Sequence, residues 1–311
     1  MRAVGVLKFG GPEVLQVIDL PEAYAGAGQV RLRNHAATVN PTDTFLRNGS
    51  RAEQLKDVPP PYIPGMEAAG VIDEVGAGVS GLKIGDAVLA IVVPKGSHGA
   101  YREQIVLDAR SVVLAPKAKS HAEAASLPMN GLTARQTLDK LGLKPGQAIA
   151  VTGAAGAYGG YVVQLAKAEG LTVIADASEK DEALVKSLGA DVVVRRGDDV
   201  AQRIRQHFAH GVDGLADGAV LKEKVIAAVK DGGAFASVRG FQGVPTRDIR
   251  FSTISVAAYV FEHDKLDRLR QLVDEGKLTL RVAGSYKPEQ AAEAHRRLEA
   301  GGTRGRISIG F

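Results

Sequence analysis

The chain has 311 residues, enough for two domains at roughly 150 residues each. Its 45% apolar and 24% charged content is that of an ordinary globular protein, and no apolar run approaches the roughly 18 residues of a membrane helix. Cysteine is absent, which excludes disulfides, thiolate nucleophiles, Cys-based zinc sites and iron–sulfur clusters, while a net charge of +4 with 5% aromatics suits a small anionic ligand better than nucleic acid.

Up to about residue 118 the pattern is short strands between turns. Residues 3–8, 14–19 and 30–36 read as strands, with breaks at Gly10-Gly11-Pro12 and across 26–28. Lys8 and the first of those turns cut the opening strand short, unlike a secretory leader, so a cytoplasmic location is expected. Residues 41–48 form a helical turn or two. Across 65–93, apolar strands alternate with Gly76, Gly78, Gly81 and Gly85, a density suited to the corners of a small barrel. The expectation is an antiparallel, barrel-like domain.

Beyond residue 120 the rhythm changes. A strand at 148–152, a helix at 160–168, a strand at 171–176, a helix at 180–188 and a strand at 192–195 follow one another. A helix over 198–209 sets Val200, Ile204 and Phe208 four apart on one face. A strand at 212–217, a helix at 221–230 and a strand at 234–239 continue the alternation, which predicts parallel β-α-β units and a doubly wound sheet. Residues 255–261 read as an edge strand whose burial against a second copy predicts a homodimer. Helices at 264–275 and 289–300 and a strand at 306–309 complete the chain.

The segment Val151-Thr152-Gly153-Ala154-Ala155-Gly156-Ala157-Tyr158-Gly159 joins the first parallel strand to its helix. Ala154 replaces the first glycine of the usual dinucleotide fingerprint, but the physics survives. Gly156 lets the backbone approach a pyrophosphate, Gly159 lets the helix pack close, and the helix N-terminus offers free N–H donors to the anion. Gly153, Ala155, Gly156, Ala157, Tyr158 and Gly159 are the candidate cofactor contacts here. A glycine turn alone is a weak signal; its place in the first βα turn of a series makes the functional reading the stronger one. Asp176, closing the second strand, favours NAD by the rule of a ribose-binding acid. Ser178 and Lys180 just beyond it, with Arg195 and Arg196 at the same sheet edge, favour the 2′-phosphate of NADPH. NADPH is the expected cofactor and NADH the alternative.

Several motifs in order carry a resemblance over nearly the whole chain: Asn40-Pro41-Thr42-Asp43, the run from Pro64 to Val71, Gly85-Asp86-Ala87-Val88, Gly99-Ala100-Tyr101, the run from Ala124 to Ala134, the glycine loop, and Ala294-His295-Arg296-Arg297-Leu298-Glu299. Together they make the chain similar to the zinc-independent quinone oxidoreductases of the medium-chain dehydrogenase/reductase superfamily. That resemblance implies an α/β protein with a GroES-like β-barrel domain from residues 1–119 and 259–311. A doubly wound Rossmann domain of residues 120–258 lies between those segments, with cofactor in the cleft. It implies that Asn40 and Asp43 sit near the nicotinamide ribose, although the residues alone read equally well as a helix cap. Asn130 and Thr133 carry over as cofactor contacts, with interdomain packing as the other reading of Asn130. Zinc relatives place a Cys where this chain has Pro41-Thr42-Asp43 and a His where it has Met66; a thioether and a lone carboxylate make no zinc site, so no metal is expected. Arg196 stands where many relatives have a tyrosine beside the adenosine, and an arginine can stack on adenine and pair with phosphate.

Without a metal to help remove a hydroxyl proton, reduction of a quinone or α,β-unsaturated carbonyl is the easier chemistry, and the protein mainly positions the partners. Tyr62, between prolines, is the candidate proton donor, set against a tyrosine packed on its own loop. Arg47 faces substrate or solvent. Residues 241–251, basic at Arg247 and Arg250, match a variable substrate loop. Two rivals stand beside this reading: an enoyl-thioester reductase on the same fold, and a non-catalytic, crystallin-like NADPH-binding protein. The expected partners are a small quinone or enone and a second copy of the chain, with neither nucleic acid nor membrane.

Overall fold

The computed structural model describes residues 1–311, and they form two compact units. One comprises Met1–Met129, Val260–Asp274 and Leu280–Phe311; the other comprises Asn130–Tyr259 and Glu275–Thr279. Together they make the α/β fold class that the sequence implied.

The first unit is built on a seven-stranded sheet. Its strands run in spatial order Val282–Tyr286, Arg306–Gly310, Gln29–Thr38, Glu67–Val75, Ala87–Ile91 and Val112–Leu114, with Gln104–Asp108 pairing back onto Gln29–Thr38. Register shifts between Arg31 and Leu32 and between Asn34 and Ala36 bend the long central strand, which lets it serve three neighbours. The chain's last strand pairs with it antiparallel, Ser308 opposite Thr38, so the tail returns to this unit. Leu32, Ile63, Ile72 and Ile105 fill the interior.

The second unit carries a six-stranded parallel sheet. Its order is Val192–Arg195, Thr172–Ala177, Ala148–Thr152, Val212–Asp217, Val229–Ser237 and Arg250–Thr253. Chain order therefore reverses between Ala148–Thr152 and Val212–Asp217, and in open α/β sheets ligands bind beyond the strand ends at such a point. The strand Ala148–Thr152 is wholly buried, as its continuous apolar run requires of a central parallel strand.

Three elements differ from the sequence reading. Residues 255–261 are not a strand: Val256–Tyr259 is a 3-10 turn, begun where Ser255 donates its N–H to Gln136 Oε1 and Ala258 folds back on Ser255. The sheet edge lies earlier, at Arg250–Thr253. The helix expected over 221–230 shrinks to Glu223–Ile226, because Asp217 captures the N–H groups of Leu221 and Lys222 and Val229 already joins the sheet. A helix that periodicity did not reveal, Pro128–Leu141, precedes the first parallel strand.

Candidate functional site

In the second unit the glycine loop leaves Ala148–Thr152 and opens the helix Ala157–Ala168. Gly153 turns the chain with φ +69°, which a side chain rarely adopts. Gly156 caps the helix in extended conformation and brings no side chain, so the first-turn N–H groups have no side-chain cap. A Cβ on Gly159 would stand 2.4 Å from Gly153 O, so only glycine lets this helix approach the loop so closely.

Two buried carboxylates hold the loop from below. Asp176 Oδ1 accepts the N–H of Gly153 at 2.7 Å and of Ala154 at 3.3 Å. Burial raises its carboxyl above the usual range, and those two bonds work against that rise. The position expected to hold an adenosine ribose is thus turned inward onto the loop. Asp217 accepts from Thr152 Oγ1 at 2.7 Å, from Leu221 and Lys222 N–H, and from Ser237 Oγ. It ties the ends of the two strands that flank the switch point.

Around the loop, Tyr158 Oη pairs with Thr137 Oγ1 at 2.9 Å, and Thr137 in turn donates to Thr133 O. Burial pushes the Tyr158 hydroxyl up, so it stays protonated. Asn130 and Thr133 are buried on Pro128–Leu141. Beyond the second strand, Ser178 Oγ donates to Asp181 and Arg195 pairs with Glu179. Lys180 and Arg196 are exposed, and the charge of Arg196 reaches Asp176. Arg247 donates to Val229 O and Ile226 O, and Arg250 to Leu141 O. These two arginines of the segment 241–251 are thus tied to main-chain carbonyls.

In the first unit, Asn40 and Asp43 come together at the start of the helix Pro41–Arg47. Asp43 Oδ2 accepts the N–H of Asn40 at 2.8 Å and Oδ1 that of Gly65 at 2.9 Å, with Tyr101 Oη 3.4 Å away. Burial pushes this carboxyl up to about 6 in spite of those donors. Asn40 turns its side chain away from the helix: Nδ2 donates to Glu67 and Oδ1 accepts from Arg306. Glu67 also takes Thr38, Arg306 and the N–H of Met129. Asp43 opens on a cavity of about 50 Å³, shared with Thr42, Leu46, Leu55 and Met66.

Tyr62 is not brought to this group. Its hydroxyl donates to Val58 O at 2.9 Å and its ring stacks on Phe9, so the reading as a packed loop tyrosine replaces that of a proton donor. Arg47 does not face solvent; it is buried against His295 and Glu299. Tyr101 and His295 stand in the motifs of the sequence yet received no role there, because 194 positions separate the two and no local pattern signals their contact.

The donor set does not fit zinc. Thr42 Oγ1 donates to the Met66 thioether at 2.9 Å, Glu67 is taken up by Arg306, and no three His, Cys, Asp or Glu side chains converge. The glycine loop does fit a dinucleotide: a cradle that a Cβ would fill, beside a helix N-terminus without a side-chain cap.

Residues 26–117 match the Alcohol dehydrogenase GroES-like domain, and residues 188–309 match the family described as Zinc-binding dehydrogenase. The chain is 30% identical to the chloroplastic NADPH-dependent alkenal/one oxidoreductase of Arabidopsis thaliana over 99% of its own length and 79% of that protein's. A solved NAD-dependent alcohol dehydrogenase superposes with a TM-score of 0.89 at 32% identity, covering 100% of both chains. The quinone oxidoreductase of Coxiella burnetii superposes with a TM-score of 0.85 at 29% identity, over 100% of this chain and 99% of that one. Fold and motifs define a medium-chain dehydrogenase/reductase. Within that superfamily the chain belongs to the zinc-independent quinone oxidoreductase family.

Proposed function

We propose that this protein is an NADPH-dependent reductase that delivers hydride to a quinone or an α,β-unsaturated carbonyl without a metal. The observation that carries the reading is the glycine loop, clamped by Asp176 and opening a helix whose first turn has no side-chain cap. The relatives named for alkenal/one and quinone reduction support the acceptor class. The departure from zinc donors separates the chain from metal-dependent alcohol oxidation.

When bound, NADPH supplies the hydride. The amides of Ala155, Ala157 and Tyr158 would receive the pyrophosphate, with Gly156, its own N–H donated to Gly153 O, admitting it by the lack of a Cβ, and Gly153 and Gly159 giving the loop its shape. Lys180 and Arg196, exposed cations beside Ser178, receive the 2′-phosphate. Asp176 is occupied with the loop, which removes the acid that would favour NADH. Asn130 and Thr133 line the cofactor's seat. Asp43, at the cavity lined by Thr42 and Met66, would meet the acceptor carbonyl, and Asn40, whose N–H Asp43 accepts, would hold that carboxyl in place; the acceptor's activated π-system takes hydride without a Lewis acid. The protein works as a cytoplasmic homodimer, joined through the sheet edge at Arg250–Thr253.

Fluorescence titration with NADPH and NADH, followed by an acceptor screen, tests the reading. Lys180→Ala weakens NADPH by about tenfold and leaves NADH unchanged; equal losses overturn the 2′-phosphate assignment. Simple quinones and alkenals turn over faster than a crotonyl thioester. Preference for the thioester identifies an enoyl-thioester reductase, and cofactor binding with no turnover across the panel identifies a non-catalytic protein. Sedimentation at micromolar concentration that shows only monomer contradicts the dimer.

A further inference from the structure

A chain of buried side chains runs through the first unit to Asp43. Arg47 Nη1 lies 3.2 Å from His295 Nδ1, His295 Nε2 lies 3.2 Å from Tyr101 Oη, and Tyr101 Oη lies 3.4 Å from Asp43 Oδ2. A guanidinium can only donate. His295 Nδ1 therefore accepts, the imidazole proton sits on Nε2 and points at Tyr101, and the phenol proton points at Asp43. Every hydrogen bond in the string has the same sense, from cation to carboxylate. Glu299 anchors the outer end, accepting from Arg47 Nη2 at 2.6 Å.

The members keep fixed charge states. Burial, then the neighbouring Arg47, bring His295 down to about 3, so it is neutral at working pH. Burial lifts the Tyr101 phenol well above its usual range. The groups that face Asp43 are the main-chain N–H of Asn40 and Gly65, the Tyr101 hydroxyl, and the charges of Arg306 and Glu67 from the packed strands. The helix Ala291–Glu299 contributes His295 and Glu299. On its other side Asp43 borders the cavity that it shares with Thr42, Gln54, Met66 and the charged Arg51.

We propose that Arg47, His295 and Tyr101 are positioning residues that act through this one-way string on Asp43, so that Asp43 hands a proton to the oxygen of the reduced acceptor. This rests on the reductase reading above. The O–H bond of the Asp43 carboxyl breaks as an O–H bond forms on the acceptor oxygen made anionic by hydride addition. A proton from bulk solvent, relayed by water entering the cavity, restores the carboxyl, and no electrons change hands in the step. The string's part is to donate to the carboxylate that remains, which sets how readily the proton leaves.

Carbon-13 NMR of aspartate-labelled full-length protein follows the Asp43 carboxyl directly, alongside the pH profile of kcat. Tyr101→Phe keeps the ring and removes the last donor; it moves the Asp43 titration upward by about one pH unit. The fall of kcat with rising pH moves by the same amount, while the KM for acceptor stays put. His295→Leu gives the same shift. His295→Gln, whose amide offers an acceptor to Arg47 and a donor to Tyr101, restores both profiles to within about 0.3 unit. If neither Tyr101→Phe nor His295→Leu moves the NMR titration, the string has no hold on Asp43 and the proposal falls. If the titration moves and the kcat profile does not, proton delivery from Asp43 is overturned. A wild-type protein that reduces no quinone or enone fails the reductase reading instead, and the NMR titration still decides the string.

Discussion

Replacing Asp176 with alanine separates a carboxylate that holds the glycine loop from one that reads a ribose. Its Oδ1 receives the N–H of Gly153 at 2.7 Å and of Ala154 at 3.3 Å. A hydrogen bond to a charged group contributes about 1.5–3 kcal/mol, and the longer of the two lies at the weak end. The gross loss is therefore about 3 kcal/mol. Against it, burial already raises this carboxyl above the usual range, and removing the partly desolvated charge returns about 1 kcal/mol. The net destabilisation is about 2 kcal/mol, or a fall of about 3 °C in Tm for a protein of 311 residues. With its two anchoring bonds gone the loop loses its preformed shape, so NADPH and NADH affinities fall together by about tenfold. Urea melts and paired fluorescence titrations read both quantities. Loss of NADH alone, or a gain in NADPH affinity, makes Asp176 a ribose reader and refutes the reasoning.

Asp43 carries a pH signature. Its folded carboxyl sits at about 6 against a usual 3.8, so the native state binds the proton more tightly than the unfolded chain. Stability from this group is therefore fully present below about pH 4 and is lost as pH rises to about 6. Urea melts across that window show the difference between wild type and Asp43→Asn changing by about 3 kcal/mol; a constant difference contradicts the burial argument. Gly159→Ala drives a methyl onto Gly153 O and costs about 2 kcal/mol of stability. Gly156→Ala, whose Cβ meets nothing nearer than 3.1 Å, costs under about 1 kcal/mol yet still weakens NADPH because the methyl faces the diphosphate. Equal destabilisation by the two argues against the close helix approach. Tyr62→Phe, losing only the bond to Val58 O, costs about 1 kcal/mol and leaves kcat within about twofold. A hundredfold fall in kcat would return Tyr62 to the role of proton donor.

The doubly wound sheet was legible because its strands and helices alternate at regular spacing, and Val192–Arg195 and Val212–Asp217 fall where the apolar runs placed them. What escaped was decided by particular side-chain contacts, near or distant, that periodicity does not encode. The run 255–261 has the β-branched and aromatic content of a strand, but a side chain from Pro128–Leu141 captures its first N–H and turns it. The helix expected over 221–230 lost its first turn to the buried Asp217 carboxylate, with Val220 and Lys222 at positive φ beside it. At the site, the glycine loop follows from local physics, since spacing alone dictates which residues must lack a Cβ. The inward turn of Asp176 does not, because an acid at a strand end has the same sequence whether it faces ribose or loop. Arg47 looked like a surface residue on a short polar helix; its burial depends on His295, 248 positions away.

A crystal soaked with NADPH tests the central claim most directly. The expected result places the diphosphate within about 3 Å of the main-chain N–H groups of Ala155, Ala157 and Tyr158, the 2′-phosphate against Lys180 and Arg196, and Asp176 still bonded to the loop. A diphosphate bound elsewhere, or an Asp176 carboxylate released from Gly153 to hold the ribose, contradicts it.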